Sequence, residues 1–413
     1  MERLLILGGA AALLFIAEAS SAAELPDVSA SIAVGYVGDG NDRSFLDEGG
    51  FGKTPYGEHD DGPSWVDGYI ELNTRLGADW DAALTLSGSD HLSPALGVSE
   101  ATLTYRPLPD TGLRYRMKLG AFRPPVSFEH ASEGWITQYT VLASAINSWV
   151  GEEVGALGGE FKVASDPPAN PSGWNWDLFA AGYYGNDPAG TMLAWNGWNF
   201  WNGQTRYGDR IEMPDLPIFE VAENQSYYAE PYIETDHRPG YYVGGTLEQT
   251  EAVRMRAIYY DNRADPNSHD GGQWGWHTRF TSLAAQANLP LDCGLIVQWL
   301  RGSSVTWDVP FMGPAVDIDF HASFVELTKA FMNQRVTVRY DAFGVSDNDS
   351  IPIDPNGENG RAWTASYQWQ FARQWTVSLE KLWVEGHRTA RALTGLDANY
   401  DDHVALATLR WQL

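Results

Sequence analysis

Apolar and polar residues alternate one for one along segment after segment of this chain. Leu113, Tyr115, Met117 and Leu119 interleave with Arg114, Arg116 and Lys118. Val253, Met255, Ala257 and Tyr259 interleave with Arg254 and Arg256, and Val336, Val338, Tyr340 and Ala342 with Arg335, Thr337, Arg339 and Asp341. In 362–371, Trp363, Ala365, Tyr367, Trp369 and Phe371 oppose Thr364, Ser366, Gln368 and Gln370. A repeat of two is the period of a β-strand, and it puts one list on each face of a sheet. Roughly sixteen such segments follow one another, an even number that lets an antiparallel sheet close on itself. Helical spacing is scarce outside Glu129–Val150.

The connections carry a second regularity. Short turns such as Gly77–Asp79, Pro107–Gly112 and Met332–Gln334 follow every other strand. The remaining connections are long and polar, among them 39–63, 123–153, 187–240, 306–314, 346–360 and 386–402. Short turns at one end and long loops at the other are the asymmetry of a transmembrane barrel; a soluble sandwich has no reason to sort its loops. The apolar faces are rich in Trp, Tyr and Phe, as interfacial girdles require. The expected architecture is therefore an all-β transmembrane antiparallel barrel over 24–413, its apolar face toward lipid and its polar face toward a wet lumen.

The first residues, MERLLILGGAAALLFIAEASSAAELPD, combine a short basic start, an apolar stretch and a small-residue site at Ser21-Ala22-Ala23. That is the plan of a secretory signal peptide, 1–23, which predicts export. No long apolar run follows, so no transmembrane helix is expected. The chain has one cysteine, Cys293, and so no internal disulfide, which suits a bacterial envelope protein better than a disulfide-dense secreted one. Its 54 acidic against 27 basic residues, net −27, argue against a nucleic-acid partner. No nucleophile elbow, zinc-binding helix pair or phosphate loop is present. No catalytic residue, cofactor or metal is expected.

Two stretches carry a resemblance. The ending VALATLRWQL resembles the C-terminal strand of Gram-negative outer-membrane barrels, with Leu413 where that family usually has Phe or Trp. The run GAFRPPVSFEHASEGWITQYTVLASAINSWVGEEVGALGGEF resembles porin-like proteins related to the phosphate-selective porin O/P group. There it is the strand leading into the constriction loop and the strand after it. The tail from Arg388 is similar to the ends of alphaproteobacterial porin-like proteins. The resemblance implies a barrel in the outer membrane of a Gram-negative bacterium, usually a homotrimer, that passes small hydrophilic solutes passively. Lipid and lipopolysaccharide would surround it.

On that reading Arg114, Arg116 and Lys118 form a basic ladder on the lumen wall, joined by Arg254, Arg256, Arg335 and Arg339. On the lipid face each cation would cost roughly 2–4 kcal/mol near the midplane; in a wet lumen that cost largely vanishes. The following segment, 123–153, is the expected constriction loop, with Arg123, Glu129, His130, Glu133, Glu152 and Glu153. Acids on that loop facing bases on the wall would set a transverse field and a modest anion preference. Asp67, Glu71, Asp317, Asp319 and Asp341 have the parity to oppose the bases. Salt-bridged pairs that merely stiffen the wall are an equal reading of each charge.

In 187–240, Trp195, Trp198 and Trp201 are expected in an outer loop. They either stack on flat solutes or pack the loop into the barrel mouth, and packing is favoured. Rival readings are a secreted all-β carbohydrate-binding protein or hydrolase, and a closed barrel serving adhesion.

Overall fold

The computed structural model describes residues 26–39, 42–57, 62–109, 112–130, 134–166, 173–250, 252–349 and 351–413. The leader 1–23 and Glu133 lie outside them. The expected strand pattern closes into one antiparallel barrel of sixteen strands. The first eight are β1 (Asp27–Asp39), β2 (Gly62–Arg75), β3 (Trp80–Ser89), β4 (Leu96–Tyr105), β5 (Leu113–Phe122), β6 (Ala156–Ser165), β7 (Trp174–Tyr184) and β8 (Gly240–Gln249). The second eight are β9 (Val253–Asp261), β10 (Trp276–Leu289), β11 (Cys293–Val309), β12 (Gly313–Phe331), β13 (Gln334–Asp347), β14 (Glu358–Ala372), β15 (Trp375–Arg388) and β16 (Asn399–Gln412). Each pairs with its sequence neighbour, and β1 closes on β16 with Ile32 opposite Trp411 and Val34 opposite Leu409. Closure leaves no strand edge unpaired.

Ile32, Val34, Met117, Leu119, Leu178, Val325, Leu327 and Leu379 stand exposed on the outer face. A barrel can afford that only where hydrocarbon replaces water. Exposed aromatics mark the limits of this band. Trp363 sits beside Tyr340 and pairs in register with Trp383. Phe371, Trp369 and Trp375 gather at the turn end of the same strands. Trp363 and Phe371 are separated by about 26 Å of strand at ~3.3 Å per residue, about 20 Å of height at the usual tilt, close to the band expected for an outer membrane.

Two connections differ from expectation. The long loop expected at 306–314 is a tight hairpin tip, because β11 and β12 run on to Val309 and Gly313. Their ladder is prolonged by inward packing, with Trp307 stacked on Trp274 and also near Trp195. On this upper part of β12 the alternation is inverted. Ile318, Phe320 and Ala322 are buried inside, while Asp317, Asp319 and His321 point out. Asp317 and Asp319 therefore do not oppose the lumen bases. Below Ser323 the pattern reverses to Val325 and Leu327 outside and Glu326 and Thr328 inside.

Two of the long loops turn inward. The β5–β6 loop carries helix α1 (Ala145–Glu153), shorter than the expected 129–150, and the β7–β8 loop carries α2 (Thr191–Trp195). All nine residues of α1 and all five of α2 are buried. Gly190 and Gly197, both at positive φ, let the second loop press against the wall; a Cβ on either would overlap Ser304 or Glu358.

Candidate pore and its inserted loops

The expected ladder on β5 does face inward, on the turn-end half of the barrel. Its side-chain exposure falls from 51% at Arg114 through 36% at Arg116 to 19% at Lys118. Each cation meets an acid from the next strand or turn. Arg114 donates to Asp166 at 2.8 Å. Arg116 donates to Glu160 at 2.6 Å, and Lys118 lies 3.9 Å from the same carboxylate. Tyr242 donates its hydroxyl to the other Glu160 oxygen at 2.7 Å. Lys162 continues the band to Asp177 at 3.1 Å. Arg254 and Arg256 on β9 complete it, both guanidinium groups lying 4.5 Å from the ring of Phe128. The sequence reading overlooked Glu160 and Lys162, although Leu157, Gly159, Phe161 and Val163 alternate with them on β6.

The constriction-loop residues do not face this band as acids opposite bases. Glu129 is 1% exposed and works as a splint. It accepts the backbone N–H of Ser144 at 2.7 Å and the Ser144 hydroxyl at 2.6 Å, and so holds the N-cap of α1. Arg339, expected on the pore wall, is fully buried and clamps the same loop. It donates to Glu129 and to Asp341 at 2.9 Å, to the Leu142 carbonyl at 2.9 Å and to the Ala143 carbonyl at 2.9 Å. Glu380 on β15 accepts the N–H groups of Val141 and Leu142 at 2.5 and 2.8 Å. Arg335 lies 4.3 Å from the Tyr139 ring.

Glu153 accepts Trp149 Nε1–H at 2.7 Å and the Gly190 and Met192 N–H groups at 3.0 and 2.8 Å, which ties α1 to α2. Glu152 accepts the Ser148 hydroxyl at 2.8 Å, and its second oxygen has no partner. Burial pushes the Glu152 carboxyl up to about 8 and the Glu153 carboxyl up to about 7. Arg123 is also buried. It donates to Gln204 and to the carbonyls of Val150, Val154 and Thr205, which joins the two inserted loops.

Trp195, Trp198 and Trp201 lie inside the barrel and present no face to outside solutes. Trp195 meets Trp276 edge-on at 5.0 Å. Trp198 packs on Trp149, Phe320 and Phe343 and donates Nε1–H to the Gly344 carbonyl at 3.2 Å. Trp201 meets Phe45 edge-on at 6.2 Å. A buried ionic knot pins this loop, with Lys53 2.6 Å and Arg388 3.5 Å from Glu358, which also accepts the Trp198 N–H. The polar lumen expected throughout is thus confined to the turn-end half; above it the barrel holds an apolar core.

Between the two lies a cavity of about 490 Å³. Glu71 on β2 and Glu100 on β4 line one part of it, Arg254 and Arg256 another, and His130 and Trp135 belong to the inserted loop. His130 stacks on Trp135 at 3.9 Å, and neither ring nitrogen has a hydrogen-bond partner. Burial and the nearby Arg123 and Arg339 hold this imidazole down to about 3, so it is neutral. Arg123 lines the same cavity.

No family model matches the sequence, and no curated protein matches it either. Solved structures do match the fold. The outer membrane channel DcaP of Acinetobacter baumannii superposes with a TM-score of 0.55 at 12% identity, over 95% of this chain and 99% of that one. OmpT of Vibrio cholerae gives 0.48 at 11%, over 95% and 99%. An anion-selective porin from Comamonas acidovorans gives 0.47 at 11%, over 95% and 100%. The likeness to DcaP identifies the fold class, a sixteen-stranded transmembrane barrel of the porin type.

Proposed function

We propose that the protein is an outer-membrane channel through which small hydrophilic solutes diffuse passively, with a modest preference for anions. The observation that carries the reading is the band of inward cations below the inserted loops, Arg114, Arg116 and Lys118 on β5, Lys162 on β6 and Arg254 and Arg256 on β9. Such a band raises the local anion concentration in a confined aqueous space. Glu160, Asp166 and Asp177 offset part of that charge, hence a modest preference. The fold likeness to a barrel described as an outer membrane channel agrees with it. In this reading residues 1–23 direct export, the barrel assembles as a homotrimer, and its acidic outer loops face lipopolysaccharide.

Planar-bilayer recording of the refolded mature chain under a KCl gradient tests the proposal. The expected result is small stepwise currents, because the inserted loops occupy the upper lumen, with a reversal potential on the anion side. A cation-side reversal would overturn the anion preference. A folded barrel that carries no current would overturn the channel.

A further inference from the structure

An apolar groove of about 920 Å³ crosses the lipid-facing side of β7 to β12. The small residues Gly245, Ala257 and Ala285 hollow it out between the exposed Leu178, Leu283 and Trp299. Cross-strand register arranges the outward side chains above it in rows. Ala257, Leu283, Trp299 and Ser323 form the row at its upper end. The next row toward the long-loop end is Tyr259, Thr281, Arg301 and His321, and the one after it is Asp261, Arg279, Ser303 and Asp319.

Arg301 and His321 are exposed and directly opposite one another. Neither side chain has a hydrogen bond or ion pair among the described residues. Arg279 is the diagonal neighbour of Arg301, about 7–8 Å away, so two long side chains can reach one shared anion. It spends only its Nε, on the Ser303 hydroxyl at 3.2 Å. Arg361, elsewhere on the outer wall, is by contrast met by Glu385. Of the acids nearby, Asp261 is occupied by the Arg263 N–H at 2.9 Å, His277 at 3.1 Å and the Tyr259 hydroxyl at 3.3 Å. Asp319 stands one row above Arg301, opposite Ser303.

Two guanidinium groups at the rim of hydrocarbon, over an apolar hollow, match a molecule that carries a phosphate above acyl chains. The long-loop end of such a barrel faces outward, where the membrane lipid is a phosphorylated, multiply acylated glycolipid. We propose that this face binds one lipid A moiety of lipopolysaccharide, with a phosphate between Arg279 and Arg301 and an acyl chain in the groove. The assignment rests on the outer-membrane placement of the barrel and not on what crosses its lumen.

Native mass spectrometry of the refolded barrel in detergent, titrated with diphosphoryl lipid A, tests it. One lipid A should bind each barrel before further adducts appear. Arg279→Gln with Arg301→Gln should weaken that first step at least about tenfold, the loss expected for charge-assisted bonds to a phosphate. Arg279→Lys with Arg301→Lys should keep most of it. Ala257→Trp, which fills the groove beneath an intact arginine pair, should weaken it as well. Dephosphorylated lipid A and phosphatidylglycerol should bind the parent no better than the Gln variant binds lipid A. Heat-modifiable migration on SDS gels verifies that each variant is folded. These side chains face away from the lumen, so a negative result leaves the channel reading standing. Equal lipid A binding by the parent and the Gln variant would overturn the proposal. Phosphatidylglycerol binding as tightly as lipid A would overturn the choice of a glycolipid. An Ala257→Trp barrel that loses an oligomer while its lipid A binding is unchanged would reassign the face to a contact between copies and overturn the proposal too.

Discussion

Replacing Arg339 by Met isolates the clamp that holds the inserted loop. Met fills similar space and removes the charge. Glu129 and Asp341, each 1% exposed, would then be left in the interior with no cation at 2.9 Å, and Glu326 would lose the same neighbour at 3.9 Å. Removing one partner from a buried ion pair costs about 3–5 kcal/mol, because the remaining charge stays desolvated. The Leu142 and Ala143 carbonyls lose their donors as well. At ~1.4 kcal/mol per tenfold, a cost near 4 kcal/mol moves the balance between docked and released loop by roughly a thousandfold. Single-channel recording should therefore show Arg339→Met visiting states of higher conductance absent from the parent, and protease should cut within 123–155. Adding Glu129→Gln and Asp341→Asn removes the stranded charges and should restore part of the docking. A folded Arg339→Met barrel with the parent's conductance, noise and protease resistance would refute the idea that Arg339 holds the loop.

Trp198→Ala empties a site bounded by Trp149, Phe320 and Phe343. It should cost about 3–5 kcal/mol, read as a lower thermal unfolding midpoint together with a larger conductance. Glu152 supplies a dependence on pH. Burial raises its carboxyl to about 8, so the stability it contributes is complete below the ordinary carboxylate range and is lost as pH rises through about 8. Current fluctuations should grow as pH rises from about 5 to about 8 and level off above that. Glu152→Gln should flatten that rise, and an unchanged profile in the variant would assign the effect elsewhere.

Much of the barrel was legible in the chain because period-two alternation is a local property. Leu113 to Leu119, Val253 to Tyr259 and Trp363 to Phe371 each declare their lipid face without reference to any other strand. The sorting of short turns from long loops declared how the strands connect. Alternation nonetheless misassigned Asp317 and Asp319, because which face is apolar depends on whether a strand segment stands in lipid or above it, and β12 crosses that boundary.

The candidate site was legible only in part. Arg114, Arg116 and Lys118 do face inward as their parity requires, whereas Arg339 has the same parity and never meets the lumen. Parity tells which side of the wall a residue takes and not what fills the space beyond it. The acids expected to oppose the bases, Glu129, Glu152 and Glu153, bind backbone N–H groups, hydroxyls and an indole inside the inserted loops. The sequence alone determined a closed amphipathic barrel with an inward basic band, since both follow from local spacing. Only the tertiary structure decided that the loops carrying α1 and α2 enter the barrel and that their tryptophans form its upper core. Those contacts join residues far apart in the chain, and packing and charge compensation inside a closed wall choose among them.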